Sequence, residues 1–398
     1  MSATIRYLAT ANRDDLIREM AAIGVSTAGI AHMSRKGNCL CFRVDGLSNP
    51  GVLIIKQKLL SLGGEAAVSR NALVGGSAEK GENGLIIMAT PLQLEQLLEY
   101  LSLQNFGLPQ LASQLGEAMT ALDDNPPPIA YHNQYGSGSL SFETPLVMGI
   151  VNMTPDSFFD GGKYNTVAQG IAQVKALVAA GADLIDIGGA SSRPGFNPVA
   201  ADTELMRVLP LISELVPWLE VPISIDTDKI EVAAAAVAAG VAVLNYTGVL
   251  NQNILRLAKD SHAPVVLMHQ GGGADVLESV GGFFREALAM AAQVGLEREQ
   301  IILDPGIGFD KNPQENIRIL AHLSEFLVFG RPLLLGMSNK RFLGAITEMP
   351  VDQRNLAGAV AAALGYQAGA AIFRVHDVGA TRQALAVAAA MKRGNLDG

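Results

Sequence analysis

LVMGIVNMTPDSFFDGG, residues Leu146–Gly162, is the stretch on which the reading of the whole chain turns. An aliphatic run from Leu146 to Val151 stops abruptly in a polar loop. That loop carries an amide (Asn152), two hydroxyls (Thr154, Ser157), two carboxylates (Asp156, Asp160) and a glycine pair (Gly161, Gly162). A buried strand that ends in such a loop is how an α/β enzyme presents chemistry at a strand's C-terminal end. An ordinary strand and turn would use the same residue types, because Asx and Gly favour turns. The stretch alone leaves both readings open; the residues downstream tip the balance.

From Pro145 onward, strand and helix patterns alternate without a break. Strands are expected at Leu146–Met153, Asp183–Gly188, Val221–Thr227, Val241–Tyr246, Pro264–His269, Gln300–Asp304, Pro332–Met337 and Ala370–Val375. Apolar-periodic helices are expected between them, at Val167–Ala180, Leu205–Leu215, Ile230–Ala239, Ile254–Asp260, Phe283–Val294, Gln314–Phe329 and Arg354–Gln367, with Thr381–Lys392 last. Several end in glycine: Gly181, Gly240, Gly295, Gly330 and Gly369. Eight strand–helix units in about 250 residues give the count and length of a (β/α)8 TIM barrel. An open doubly wound sheet is the alternative, but no GxGxxG turn follows the first strand.

In a barrel the strand C-termini converge on one mouth, so residues far apart in sequence can meet there. The ends read Asn152; Asp186 with Ser191, Ser192 and Arg193; Asp226; Asn245; Met268 and His269; Asp304; Ser338 with Lys340; and Arg374 with His376. Eight polar or ionisable ends in phase argue against a purely structural account. Two chemistries separate. Asp226, Asn245, Asp304 and Lys340 suit a flat heterocycle with several donors and acceptors. Arg193, Arg374 and His376, with Ser192, suit a phosphate or diphosphate. Asn152 and the Asp156/Asp160 loop offer oxygens to Mg2+, which keeps waters and bridges phosphate oxygens. Together these imply a displacement in which diphosphate leaves.

The remainder of the chain sets bounds. Of its 398 residues 49% are apolar, enough for a large core plus a smaller domain. The net charge of −9 argues against nucleic acid as a partner. The longest apolar run, Val232–Leu244, is too short for a membrane span, and no signal-peptide core opens the chain, so a cytoplasmic location is expected. Cys39 and Cys41 are read as reduced thiols. Residues 1–123 read as a separate α+β domain with no phosphate loop or catalytic cluster. Residues 124–144, rich in Pro, Asn, Ser and Gly, read as an extended linker, and 145–398 as the barrel.

MGIVNMTPDSFFDGG, DLIDIGGASSRPG, ISIDTDK, LDPGIGFDKN, GMSNK and FRVHDV resemble, in order, the motifs of the dihydropteroate synthase family. Residues 1–123 resemble the N-terminal region of its longer bacterial members. The resemblance implies a pterin-binding barrel that joins hydroxymethyl-dihydropterin diphosphate to p-aminobenzoate with release of diphosphate. It implies pterin on Asp226, Asn245, Asp304 and Lys340, and diphosphate with Mg2+ on Asn152, Arg193, Arg374 and His376. It places p-aminobenzoate near Ser192, Pro194, Phe309 and Ser338. Asp226, Lys340, Arg374 and His376 would carry catalysis, Asp226 by stabilising a pterin-methyl cation. It also implies a homodimer. The chain departs from the family pattern at Ala190 (usually Glu), Ser192 (Thr), Tyr246 (a carboxylate), Asn339 (Arg) and Asp310 (Gly). A pterin barrel of the methyl-tetrahydrofolate:corrinoid methyltransferase type and a non-catalytic pterin-binding paralogue are the other readings. His269 is left open between pocket and scaffold.

Overall fold

Eight short segments of this chain are apolar on both faces at their N-terminal ends, which is what a strand buried between a barrel interior and a helical shell requires. In the computed structural model, which describes residues 13–69, 84–123, 125–133, 136–154, 166–190 and 199–394, all eight are strands of one sheet. The chain divides into two units between Thr120 and Ala121.

The N-terminal unit is α+β. Its helices are α1 (Arg13–Ala22), α2 (Thr27–Met33), α3 (Asn49–Leu62), α4 (Pro91–Leu101) and α5 (Leu108–Asp123), the last running past the division. Its strands β1 (Leu40–Val44), β2 (Glu65–Val68) and β3 (Leu85–Ala89) form an antiparallel sheet in the order β1-β3-β2. Local chemistry sets the helix ends. Thr90 and Gln93 close a capping box at the start of α4, and Gly63 ends α3 with φ of 79°. Phe42, Ala66, Leu85 and Ile87 are buried on one sheet face.

The second unit opens with a hairpin, β4 (Ile129–Asn133) and β5 (Gly136–Leu140), inside the stretch read from sequence as an extended linker. The barrel strands follow: β6 (Leu146–Asn152), β7 (Leu184–Gly188), β8 (Ile223–Thr227), β9 (Val243–Tyr246), β10 (Val265–Met268), β11 (Ile301–Asp304), β12 (Leu334–Gly336) and β13 (Ile372–Val375). All neighbours pair in parallel, in the order β11-β10-β9-β8-β7-β6-β13-β12, and a parallel bridge from Leu303 to Leu333 joins the two ends. This is the expected (β/α)8 barrel. Around it run α6 (Thr166–Ala179), α7 (Ala201–Leu215), α8 (Ile230–Ala238), α9 (Gln252–Ser261), α10 (Val276–Val294), α11 (Pro313–Ala321), α12 (Arg341–Thr347), α13 (Asn355–Gln367) and α14 (Val378–Arg393). The five glycines expected at helix ends all take positive φ, between 59° and 107°. The helix expected over Gln314–Phe329 stops at Ala321 and continues as a 3-10 segment, Leu323–Phe329; within the barrel, α12 had no sequence expectation.

The core has two compartments, and the strand period of two explains both. Outward residues such as Ile185, Ile225, Leu244, Leu267, Leu303 and Phe373 pack under the helices. Inward residues Met148, Leu184, Val243, Val266, Ile302, Leu334 and Ile372 meet inside, where Ile129 and Leu140 of the hairpin join them. The hairpin therefore plugs the barrel's foot. Two residues further along, the inward positions turn polar: Asp186, Asn245, Asp304 and Arg374 follow Leu184, Val243, Ile302 and Ile372. These four strands are thus apolar at the foot and polar at the mouth.

Candidate active site

The mouth is organised by a guanidinium shared between two carboxylates. Arg374 on β13 donates from Nε to Asp186 Oδ2 and from a terminal nitrogen to Asp226 Oδ2, both at 2.6 Å. Asp186 is fully buried and Asp226 5% exposed. Burial pushes the Asp226 carboxyl up to about 6 against the pull of Arg374, with the nearby Asp186 charge adding to the rise. Burial also works against the Arg374 charge, but its two carboxylate partners carry it above the usual guanidinium value. The Thr247 hydroxyl donates to the other Asp226 oxygen at 3.3 Å. Asn245, level with Asp226 in the β8–β9 register, donates its amide N–H to Asp186 at 3.1 Å.

The opposite wall is the loop after β11. Asp304 accepts from the Gly306 N–H at 2.7 Å and stays raised because it is buried, with Lys340, Lys311 and Arg374 pulling it back. Gly306 has φ of 68°, and a Cβ there would lie 1.8 Å from the His269 carbonyl oxygen, so this turn admits only glycine. The Lys340 ammonium lies 4.6 Å from the centroid of the Phe309 ring, a cation–π contact. Gly308 and Gly336 leave the room its chain occupies.

A third group links β6, the loop after β12 and the end of β13. The Ser338 hydroxyl meets His376 Nδ1 at 2.8 Å and accepts from its backbone N–H at 3.1 Å. Asn152 Nδ2 lies 3.4 Å from His376 Nε2. Asn152, Asp226, Asn245, Asp304, Phe309, Ser338, Lys340, Arg374 and His376 thus sit around one rim. Ser192, Arg193, Pro194 and the Asp156/Asp160 loop lie outside the described residues.

Several residues matter to the site without a role legible in the sequence. Asp186, one polar strand end among eight, holds both Arg374 and Asn245. Lys311 donates to the carbonyls of His269, Gly306 and Phe309 at 3.0–3.3 Å, and burial lowers its ammonium to about 8. Its signal was its place in LDPGIGFDKN, directly behind Asp304. Glu204, fully buried in the first turn of α7, pairs at 3.0 Å with Lys229, the residue before α8, so the two helix starts are joined. His269 is scaffold: its ring packs on Phe283 and meets Ser279 at 3.1 Å, and burial holds it neutral with a value near 4. Among the departures, Tyr246 points outward into the helix-side core, and its hydroxyl accepts from Asn251 at 3.2 Å. Asp310 and Asn339 adopt left-handed backbone, φ 50° and 53°, which Asp and Asn tolerate best after glycine.

A profile described as "Pterin binding enzyme" matches residues 148–376, from the first barrel strand to the histidine at the rim. The chain belongs to this pterin-binding enzyme family. Within it, the dihydropteroate synthase of Bacillus subtilis is 40% identical over 241 residues, covering 59% of this chain and 85% of that protein. A crystal structure of the Xanthomonas albilineans dihydropteroate synthase with 4-aminobenzoic acid superposes with a TM-score of 0.62 at 43% identity, over 64% of this chain and 95% of that one. A probable bifunctional folylpolyglutamate synthase/dihydropteroate synthase of Halobacterium salinarum is 38% identical over 352 residues, 85% of this chain. That share exceeds the barrel unit, so the likeness reaches into the N-terminal unit of this pterin-binding enzyme. The chain spans 41% of that relative's length.

Proposed function

We propose that this pterin-binding enzyme is a dihydropteroate synthase, a transferase that joins hydroxymethyl-dihydropterin diphosphate to p-aminobenzoate and releases diphosphate in folate biosynthesis. The observation that carries the reading is the rim itself: two buried acids, an amide and an ammonium lie at the barrel mouth beside a guanidinium. Asp226, Asn245, Asp304 and Lys340 present the donor and acceptor pattern of an amino-pyrimidinone ring. Arg374 and His376, with Arg193 beyond the described residues, would take the diphosphate. Arg374 then has to exchange one of its carboxylates for a phosphate oxygen, which leaves Asp226 with its negative charge facing the pterin methyl carbon. There it would stabilise the cation that forms as the C–O bond to diphosphate breaks, before the aryl amine adds and loses its proton. Phe309 and Ser338, with Ser192 and Pro194, would border the p-aminobenzoate.

A metal fits this reading only in a restricted form. Among the described residues no three His, Cys, Asp or Glu converge on a metal position. One amide oxygen, that of Asn152, is available beside His376. This suits Mg2+ carried mainly by diphosphate oxygens and water. When bound, it would neutralise charge on the leaving group; Asn152 would hold it at the protein's side.

The reading carries two further expectations. Leu356, Val360 and Leu364 on α13 and Val387 and Met391 on α14 repeat every fourth residue and are 51–76% exposed, an apolar stripe that supports a homodimer through these helices. Cys39 and Cys41 are exposed free thiols, which fits a reducing, cytoplasmic compartment. No helix of the described residues is long and apolar enough to cross a membrane.

Diphosphate release on mixing protein, pterin diphosphate, p-aminobenzoate and Mg2+ tests the proposal. Release that depends on the amine supports it; no release with any aryl amine removes it.

A further inference from the structure

We infer that Asp186 is a positioning residue that fixes the side-chain amide of Asn245, so that the site accepts, and cannot donate, a hydrogen bond at that position. The inference rests on the pterin reading above and adds what that position discriminates: an amino group from a carbonyl on the bound ring.

The geometry leaves the amide one orientation. Asp186 Oδ2 accepts from Arg374 Nε at 2.6 Å and from Asn245 Nδ2 at 3.1 Å. Facing a guanidinium and an amide N–H, this oxygen acts only as an acceptor. Turning the Asn245 amide over would set oxygen against oxygen in a site closed to water. The register says which way each end points. Asp186 is level with Ser224, and Ser224 with Val243, so Asp186 lies one inward layer below Asn245. The amide nitrogen is therefore drawn down into the barrel, and the oxygen is the branch left toward the mouth. Arg374 is aligned by the same carboxylate, its second nitrogen arriving on Asp226.

A structural role alone explains this residue poorly. Among the described residues, Asp186 Oδ1 is buried with no hydrogen-bond partner, and the Ser224 hydroxyl beside it is likewise unpartnered. A buried carboxylate with half of its acceptor capacity unused is a costly way to fill a barrel layer. It becomes intelligible if its task is to hold two rim groups in fixed orientation.

Ligand discrimination in the full chain is the test. The probes are 6-hydroxymethylpterin and the matching lumazine, in which the ring's 2-amino donor is replaced by a carbonyl, titrated by calorimetry. Wild type should favour the pterin by about tenfold or more, as sites built to pair with a donor do. In Asp186→Asn the neighbouring amide can donate or accept, Asn245 turns over freely, and the ratio should fall about five- to tenfold. The exchanged pair, Asp186→Asn with Asn245→Asp, offers only oxygens at 245 and should regain the wild-type ratio. A ratio unchanged in Asp186→Asn overturns the inference, as does a fall that the exchanged pair does not reverse. Should Asp186→Asn fail to fold, the exchanged pair decides alone: a wild-type ratio supports the inference and a ratio near one overturns it. Wild type that binds neither probe removes the pterin reading itself, an outcome distinct from both.

Discussion

Arg374 and Asp226 meet at 2.6 Å although 148 residues separate them in the chain. Arg374 sits two residues beyond the apolar inward Ile372 and Asp226 two beyond the inward Ser224, on strands kept apart by β6 and β7 in the sheet order. Closure of the ring is what brings them across the mouth. The contact joins a group assigned to the diphosphate to one assigned to the pterin, so the two halves of the proposed substrate are read by one linked set of charges.

Replacing Asp226 by Asn is expected to lower kcat/KM for diphosphate release by about a hundredfold or more, because the charge facing the developing cation is lost. Wild-type kcat/KM should fall on the acid side of pH 6, where burial has pushed the Asp226 carboxyl. Stability should move oppositely. The folded-state value lies above the ordinary carboxylate value of 3.8, so the folded protein binds the extra proton and Asp226's contribution to stability is lost as pH rises from about 4 to about 6. The melting-temperature difference, wild type minus Asp226→Asn, should therefore be larger at pH 4.5 than at pH 8. An equal difference at both pH values would contradict the assignment.

Arg374→Lys keeps the charge and loses the fork. One ammonium cannot replace two divergent N–H donors, so Asp186 or Asp226 is left buried with a poorer partner. The expected result is a loss of about 1–3 kcal/mol in urea unfolding together with weaker diphosphate binding. Unaltered stability would show that the fork contributes little.

Gly306→Ala directs a methyl group at a backbone carbonyl, that of His269, from a residue with φ of 68°. Neither partner is a flexible side-chain end, so the loop carrying Asp304 and Phe309 must shift. Expected are a loss of stability of about 2 kcal/mol or more and at least a tenfold rise in KM for the pterin substrate. A KM within twofold of wild type would show that the loop absorbs the methyl group.

Ile129→Ala opens a hole in the hairpin plug, where Ile129 is 1% exposed among the inward foot residues. The expected loss is about 2–4 kcal/mol. Pterin affinity should be unchanged, because plug and rim occupy opposite ends of the strands. A large change in affinity with little change in stability would reverse that division.

The barrel was legible because its signal is local. Alternating apolar runs and glycine-capped helices specify each βα unit within about thirty residues, and eight such units are enough to close a ring. The rim was legible for the same reason: a strand that turns from Ile302 to Asp304, or Ile372 to Arg374, announces a change of surroundings along a single segment. The hairpin was not. Ile129–Leu140 is poor in apolar residues and rich in Ser and Gly, and only the few side chains that enter the barrel foot give it a place.

Residue partnerships were beyond the sequence. Asn245 and Tyr246 are adjacent, yet one faces the mouth interior and the other the helices, because successive strand residues point to opposite sides. Asp186 looked like one polar strand end among eight until the closed ring placed it beneath Asn245 and against Arg374. Sequence by itself determined the repeated unit, its number, and, among the described residues, which strand ends turn polar, since those depend on short-range periodicity. Which carboxylate holds which cation, which way an amide faces and what fills the foot were decided only by tertiary structure, because they depend on curvature summed over all eight strands.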